Sequence, residues 1–258
     1  MSGVVLYEVR EAVALITLNR PEALNAINRD VLAALAECID KAEADSGVRA
    51  VIVTGAGQKA FSAGADIAMF TQSSATQIRE LGELAVTTFA RLSAPGAKPS
   101  IAAINGYALG GGLELAEACM MRLAVRGAMM GHPEVKIGAV AGWGGTTRIP
   151  RLIGPGHAAE LLLTGKSIDA EHALRIGLVS RVCEQSALMD EAISLACELS
   201  ALPFSAVSLT WQAMQHGLDR SLMDSLMLGA ELFGKAAEHE NFREGTTAFV
   251  EKRKPKYR

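Results

Sequence analysis

In the stretch Ile104-Asn-Gly-Tyr-Ala-Leu-Gly-Gly-Gly-Leu-Glu-Leu-Ala-Glu-Ala118 a strand ends, the chain bends, and a helix begins. The β-type run Ser100–Ile104 stops at Asn105-Gly106. Gly110, Gly111 and Gly112 then open the apolar-periodic run Leu113–Met120, whose spacing predicts a helix. Glycines at a helix start expose main-chain N–H groups and let a ligand approach closely. The positive pole of the helix dipole lies at the same end and suits a negative oxygen. Glu114 follows Gly111 by one turn and shares its face. One turn can therefore offer an oxyanion donor and a carboxylate to a single substrate. The same residues also suit a packing glycine run, with Glu114 serving only the dipole. Both readings stand on this stretch alone.

Upstream, the strand-like run Ala50–Thr54 leads into Gly55-Ala-Gly-Gln-Lys-Ala60 and Phe61-Ser-Ala-Gly-Ala-Asp-Ile67. The small residues at 62–65 let a ligand lie against the backbone. A short helical run from Ile67 would leave N–H groups there as a second oxyanion donor. Downstream, Met130-Gly-His-Pro-Glu-Val-Lys-Ile-Gly138 places Glu134 ahead of the mostly apolar Ile137–Ala141. An apolar setting raises a carboxyl pKa and can keep it an acid near neutral pH. A glutamate after proline also reads as a first-turn or surface residue.

Half of the 258 residues are hydrophobic and 21% are charged, enough for a sizeable core in one large domain. The net charge of −3 supplies no field for nucleic acid or an anionic membrane. No apolar run reaches the ~18 residues of a membrane span, and the N-terminus shows no signal-peptide pattern. Cys38, Cys119, Cys183 and Cys197 lack CxxC spacing, which predicts buried reduced thiols and no zinc site. These features predict a soluble, cytoplasmic protein without a metal.

Val4–Val9 and Val13–Leu18 read as a hairpin, and Asn28 as the cap of a helix carrying Val31, Leu32, Leu35 and Ile39. Residues about 78–93 read as a helix, and Pro95–Pro99 as a breaker. Arg122–Val125 and Met129–Pro133 read as short strands. Helical pieces recur at Thr146–Ile153, His157–Leu163, Ala170–Ile176 and Ala187–Leu199. After Ala201-Leu-Pro203 only helical patterns follow, at 204–217, 221–236 and 241–253. Repeated strand–strand–helix units predict a layered or spiral α/β core over 1–200, with a helical region over 201–258. Gly55-Ala-Gly-Gln-Lys-Ala60 matches a dinucleotide fingerprint weakly, because no amphipathic helix opens at Ala60.

Taken as an ordered set, these stretches closely resemble the crotonase superfamily, the enoyl-CoA hydratase/isomerase family. The likeness runs through Leu18–Ile27, Ala60–Ile67, Ile101–Leu115, His132–Gly138, Gly142–Arg148, Ala173–Val179 and Glu244–Lys254. It implies a crotonase-like spiral of ββα units whose C-terminal helical region forms trimers that pair into hexamers. It further implies that an acyl-CoA thioester oxygen lies between the N–H groups of Ala65 and Gly111. Glu114 and Glu134 match the two glutamates of hydratases. Ala63, Gly64, Asp66 and Ile67 match positions along the CoA site, and Lys59 a lysine near its phosphates or adenine. Gly142 matches a position near the attacked carbon. Phe233 and Lys252 match positions that reach CoA from a neighbouring subunit. The chain departs from the family pattern at Ala68, where a lysine is common, at His132, where glutamine is common, and at Ala141-Gly-Trp143.

The resemblance implies reversible hydration of a trans-2-enoyl-CoA without a cofactor beyond the CoA of the substrate. Double-bond isomerisation or hydrolysis by the same scaffold is the nearest alternative. An RNA-binding relative is another, although the net charge of −3 and 5% aromatic content speak against it.

Overall fold

The computed structural model describes residues 3–257. Met1, Ser2 and Arg258, the ends of the expected core and helical region, lie outside the described residues. In chain order the elements are β1 (Val5–Arg10), β2 (Val13–Leu18), α1 (Arg29–Ala44), β3 (Ala50–Gly55), β4 (Ala60–Ser62) and α2 (Ala75–Ala90). Next come β5 (Ser100–Ile104), β6 (Tyr107–Leu109), α3 (Gly111–Ala118), β7 (Met121–Val125), β8 (Met129–Gly131) and α4 (Gly145–Thr164). The remainder is β9 (Ser167–Asp169), α5 (Ala170–Arg175), β10 (Arg181–Cys183), α6 (Leu188–Ser200), α7 (Phe204–Gly217), α8 (Leu222–Ala237) and α9 (Glu240–Val250).

The strands fall into two sheets among the described residues. One is ordered β1-β2-β3-β5-β7-β10 and the other β4-β6-β8-β9. Successive strands alternate between them: β3 then β4, β5 then β6, β7 then β8. Each strand–strand–helix step therefore adds one strand to each sheet. Every turn of the spiral repeats the same direction, so β3, β5 and β7 pair in parallel, as do β4, β6 and β8. Parallel strands covered on both faces need continuous apolar runs, and every residue of β3 and β5 is buried.

Local chemistry agrees with this architecture. The Asn28 side chain accepts the Val31 N–H, worth about 1 kcal/mol as a cap. α1 then buries Val31, Leu32, Leu35, Ile39 and Ala42 on one face. The two pieces expected at 146–163 are halves of α4, split where Gly154 leaves helical geometry at φ 77°, ψ 157°. The expected run Leu113–Met120 sits two residues earlier, because its first turn is built from Gly111 and Gly112. α9 stops at Val250, short of the expected 253, and Lys252 turns into the left-handed region at φ 56°. All four cysteines are free, as expected, but Cys38 and Cys197 are only half-buried because their helices face solvent there.

α8 packs chiefly against α7 and α9. It buries Leu228 and Leu232, while Phe233 is 68% exposed, and Phe249 and Val250 of α9 are about 80% exposed (83% and 79%). Among the described residues no single helix is long and apolar enough to cross a membrane.

The bend that joins the sheets is tied by buried amides. Asn105 Nδ2 donates to the carbonyls of Gly55 and Gly57, each at 2.8 Å, and its Oδ1 accepts the Gly55 N–H at 3.2 Å. Asn25 Nδ2 donates to Ala60 O at 2.8 Å and Ala56 O at 3.0 Å. Stranding those buried carbonyls costs roughly 1–3 kcal/mol. Asn105→Ala is expected to lower the unfolding free energy by about 2 kcal/mol in urea titrations, with an unchanged m-value.

Candidate active site

α3 is the site's foundation. All its residues from Gly111 to Ala118 are buried, so it runs through the interior between the sheets. Its start must lie against β4, where a Cβ on Gly112 would stand only 2.3 Å from the Ser62 carbonyl oxygen. Only glycine permits that approach.

The same packing brings the bend at 62–66 beside the first turn of α3. Ile27 N–H donates to Gly64 O at 2.8 Å, and Asp66 N–H donates to Ile27 O at 2.9 Å. Ala65 is the paired residue of this parallel bridge, so its own N–H faces away from Ile27. Gly111 is the neighbour: a Cβ there would lie 3.4 Å from the Ala65 nitrogen. Gly64 makes the turn at φ +98°, and its Cβ position is 3.2 Å from the Gly111 nitrogen. Two bends distant in sequence thus bring the main-chain nitrogens of Ala65 and Gly111 close together.

Glu114 lies one turn inside α3. Its Oε1 accepts N–H bonds from Trp143 at 2.7 Å and Gly145 at 2.8 Å, the latter opening α4. Burial raises its pKa to about 7, against the lowering effect of the Gly145 N–H, with the nearby Glu134 adding to the rise. Glu134 sits in the 3₁₀ turn Pro133–Ile137. Its carboxylate hangs over the α3 entrance, where a Cβ on Gly110 would be 2.9 Å from Oε1. Both carboxylate oxygens are buried without a protein hydrogen-bond partner among the described residues. A buried carboxyl group with no protein partner has its hydrogen-bonding capacity unused.

Other expected site residues are distributed around this centre. Lys59 is exposed and lines a cleft of about 270 Å³ with Pro21, Leu24, Asn25 and Gly57. Ala63 is half-buried and Ile67 exposed on either side of the bend. Asp66 is ion-paired with Arg20 at 3.1 Å, so the loop after β2 braces it. Gly142 is exposed beside Trp143. Phe233 and Lys252 stand apart, on and just beyond the C-terminal helices, with Phe233 in edge contact with Phe242. Three groups escaped the sequence reading: the Trp143 and Gly145 amides that hold Glu114, and Glu117. Glu114-x-x-Glu117 puts two acids one turn apart on an otherwise apolar helix, a pattern that could have flagged the second.

The architecture is therefore an α/β spiral of two sheets, whose interior helix starts beside a second amide-bearing bend and carries an inward carboxylate. A profile of the enoyl-CoA hydratase/isomerase family matches residues 8–258. The short-chain-enoyl-CoA hydratase of Clostridium acetobutylicum is 44% identical over 250 residues, covering 97% of this chain and 95% of that protein. The crotonyl-CoA hydratase of Syntrophomonas wolfei is 41% identical over 253 residues, covering 98% and 97%. Among solved structures, an enoyl-CoA hydratase subunit I from Geobacillus kaustophilus superposes with a TM-score of 0.94 at 36% identity, covering 100% of this chain and 99% of that one. The chain belongs to the enoyl-CoA hydratase/isomerase family.

The raised Glu114 pKa has a consequence for stability. Between the ordinary carboxyl value and about 7 the folded state binds this proton more tightly than the unfolded state does. The Glu114 contribution to stability therefore falls as pH rises through that window. Glu114→Gln keeps an acceptor for both amides and removes the buried charge. It is expected to exceed the parent's unfolding free energy by on the order of 2 kcal/mol above neutral pH, with the gap closing toward pH ~4.5. Chemical denaturation at several pH values measures this.

Proposed function

We propose that this chain is an enoyl-CoA hydratase, adding water reversibly to a trans-2-enoyl-CoA to give a 3-hydroxyacyl-CoA. The supporting observation is the adjacency of the Ala65 and Gly111 amides to the Glu114 and Glu134 carboxyl groups. Hydratase names on relatives that match nearly the whole chain point the same way.

In this reading the thioester oxygen accepts hydrogen bonds from the Ala65 and Gly111 N–H groups. Water adds at Cβ and a proton at Cα, so negative charge builds on that oxygen as an enolate. Aimed donors stabilise it, and one such donor is worth roughly 3–4 kcal/mol in other enzymes. Glu114, with a pKa near the working pH, takes a proton from the attacking water. Glu134 delivers the proton to Cα. The Glu114 proton then passes to Glu134 directly or through solvent, which restores both groups. The two acids share one buried site, so the charge of Glu134 bears on Glu114.

Ala63, Gly64, Ile67 and Gly142 border the path of the acyl-thioester, and Lys59 faces the phosphates or adenine of CoA. The reaction needs no cofactor beyond the CoA of its substrate, and a cytoplasmic location suits that substrate. The exposed Leu226, Met227, Phe233, Phe249 and Val250 on the 201–258 region support a homo-oligomer, a trimer or a pair of trimers, in which Phe233 and Lys252 reach a neighbour's CoA.

Glu134→Gln and Glu114→Gln are each expected to lower kcat on crotonyl-CoA by about 10²–10⁴-fold while remaining folded. Near-normal turnover in either folded variant would refute the two-carboxylate scheme. Light scattering is expected to give a mass of three or six chains, and a monomer would remove the proposed reach of Phe233 and Lys252.

A further inference from the structure

Behind the two proposed acids lies a second ionisable pair. Glu117 is one turn beyond Glu114 on α3, and His132 immediately precedes the turn that carries Glu134. His132 Nε2 is 2.9 Å from Glu117 Oε1, and both side chains are completely buried. His132 Nδ1 is 3.8 Å from Glu134 Oε1, too long for a hydrogen bond and close enough for charge to be felt. Nδ1 and Glu117 Oε2 have no hydrogen-bond partner among the described residues. The imidazole thus lies between the wholly buried Glu117 carboxylate and the Glu134 carboxylate.

We propose that Glu117 and His132 are a positioning dyad: Glu117 holds His132 as an imidazolium whose Nδ1–H faces Glu134 and steadies that carboxylate as it gives up its proton. The dyad rests on the reading of Glu134 as the acid that protonates Cα. His132 touches no reacting atom and its own proton count is unchanged through the cycle.

Physical chemistry favours a functional origin. A buried ion pair with unmet hydrogen bonds stabilises a fold poorly, and apolar side chains of similar volume often do as well or better. This one brings a single cation into an interior that already holds Glu114, Glu117 and Glu134. The remaining ionisable groups acting on the cluster are Arg148 of α4, Arg122 of β7 and Cys119 at the end of α3. Arg122 is occupied by the carbonyls of Cys119 and Leu178, and Arg148 donates to Trp143 O. His132 is thereby the cation turned directly on Glu134. Burial pulls the imidazole pKa down, but its bond to Glu117 and the adjacent Glu134 carboxylate outweigh that and hold it raised.

The test joins kinetics to spectroscopy on the full-length protein with crotonyl-CoA. Imidazole-nitrogen NMR at about pH 8 is expected to show His132 with both nitrogens protonated in the parent and as neutral imidazole in Glu117→Gln. Losing that cation removes the charge that steadies the Glu134 carboxylate. The alkaline limb of the kcat/KM profile should therefore move up by about one pH unit in Glu117→Gln and in His132→Gln. The double variant should move it no further than either single change. Glu117→Leu combined with His132→Gln replaces the dyad by a packed neutral pair, and its profile should show the same displacement if a single variant folds poorly. A neutral His132 in the parent, or an unmoved limb in folded variants, overturns the dyad. Glu134→Gln is the separating control: if it keeps turnover, the reading of Glu134 itself fails, whereas its inactivity beside unmoved limbs condemns the dyad alone.

Discussion

A buried carboxylate held by two main-chain amides ties this molecule together. Glu114 Oε1 receives the Trp143 and Gly145 N–H groups at 2.7 and 2.8 Å. It thereby joins the interior helix α3 to the loop that starts α4. The connection is made where water is scarce, so each amide bond is strong and the carboxyl group is difficult to ionise. One interaction thus closes the site, orders the 141–145 loop and tunes an acid.

The two-sheet spiral explains why such an acid can exist. A helix covered on every side would ordinarily carry only apolar residues. α3 tolerates Glu114 and Glu117 because each meets a donor from another element: main-chain amides for Glu114, and His132 for Glu117. Neither would persist in an isolated helix of this length. The spiral also sets the amides. Alternation of strands between sheets delivers the bend after β4 and the turn after β6 to the same layer, one pitch apart. Their glycines then allow backbone to approach backbone, as the 2.3 Å clash of a hypothetical Gly112 Cβ with Ser62 O demonstrates.

Placement of charge separates the site from the rest of the surface. The exposed ion pairs, such as Arg10–Glu8 and Arg91–Asp40, lie in water and are worth little. The interior cluster of three carboxylates and one imidazole is where protonation and structure are coupled. Its balance is set by distances of a few ångströms among groups drawn from α3, α4 and the turn at 133–137.

Much of this was legible in residue order. Strand runs such as Ala50–Thr54 and Ser100–Ile104 are short, apolar and bounded by glycine, and the helix over 204–217 follows its periodicity to the residue. Gly111, Glu114 and Glu134 stand at element boundaries, where glycines and acids are local signals, whereas Ala65 is marked only by the family resemblance. Local order could not show that Glu117 and His132 meet across fourteen intervening residues, because pairing depends on the register of α3 against β8. Nor could it show that Trp143 and Gly145 lend their amides to Glu114, since every residue but proline carries an N–H. By itself the sequence determined the elements, their alternation and the family resemblance, all of which arise from near-neighbour patterning. Tertiary structure alone decided which buried polar atoms found partners, because that is a matter of three-dimensional proximity and desolvation.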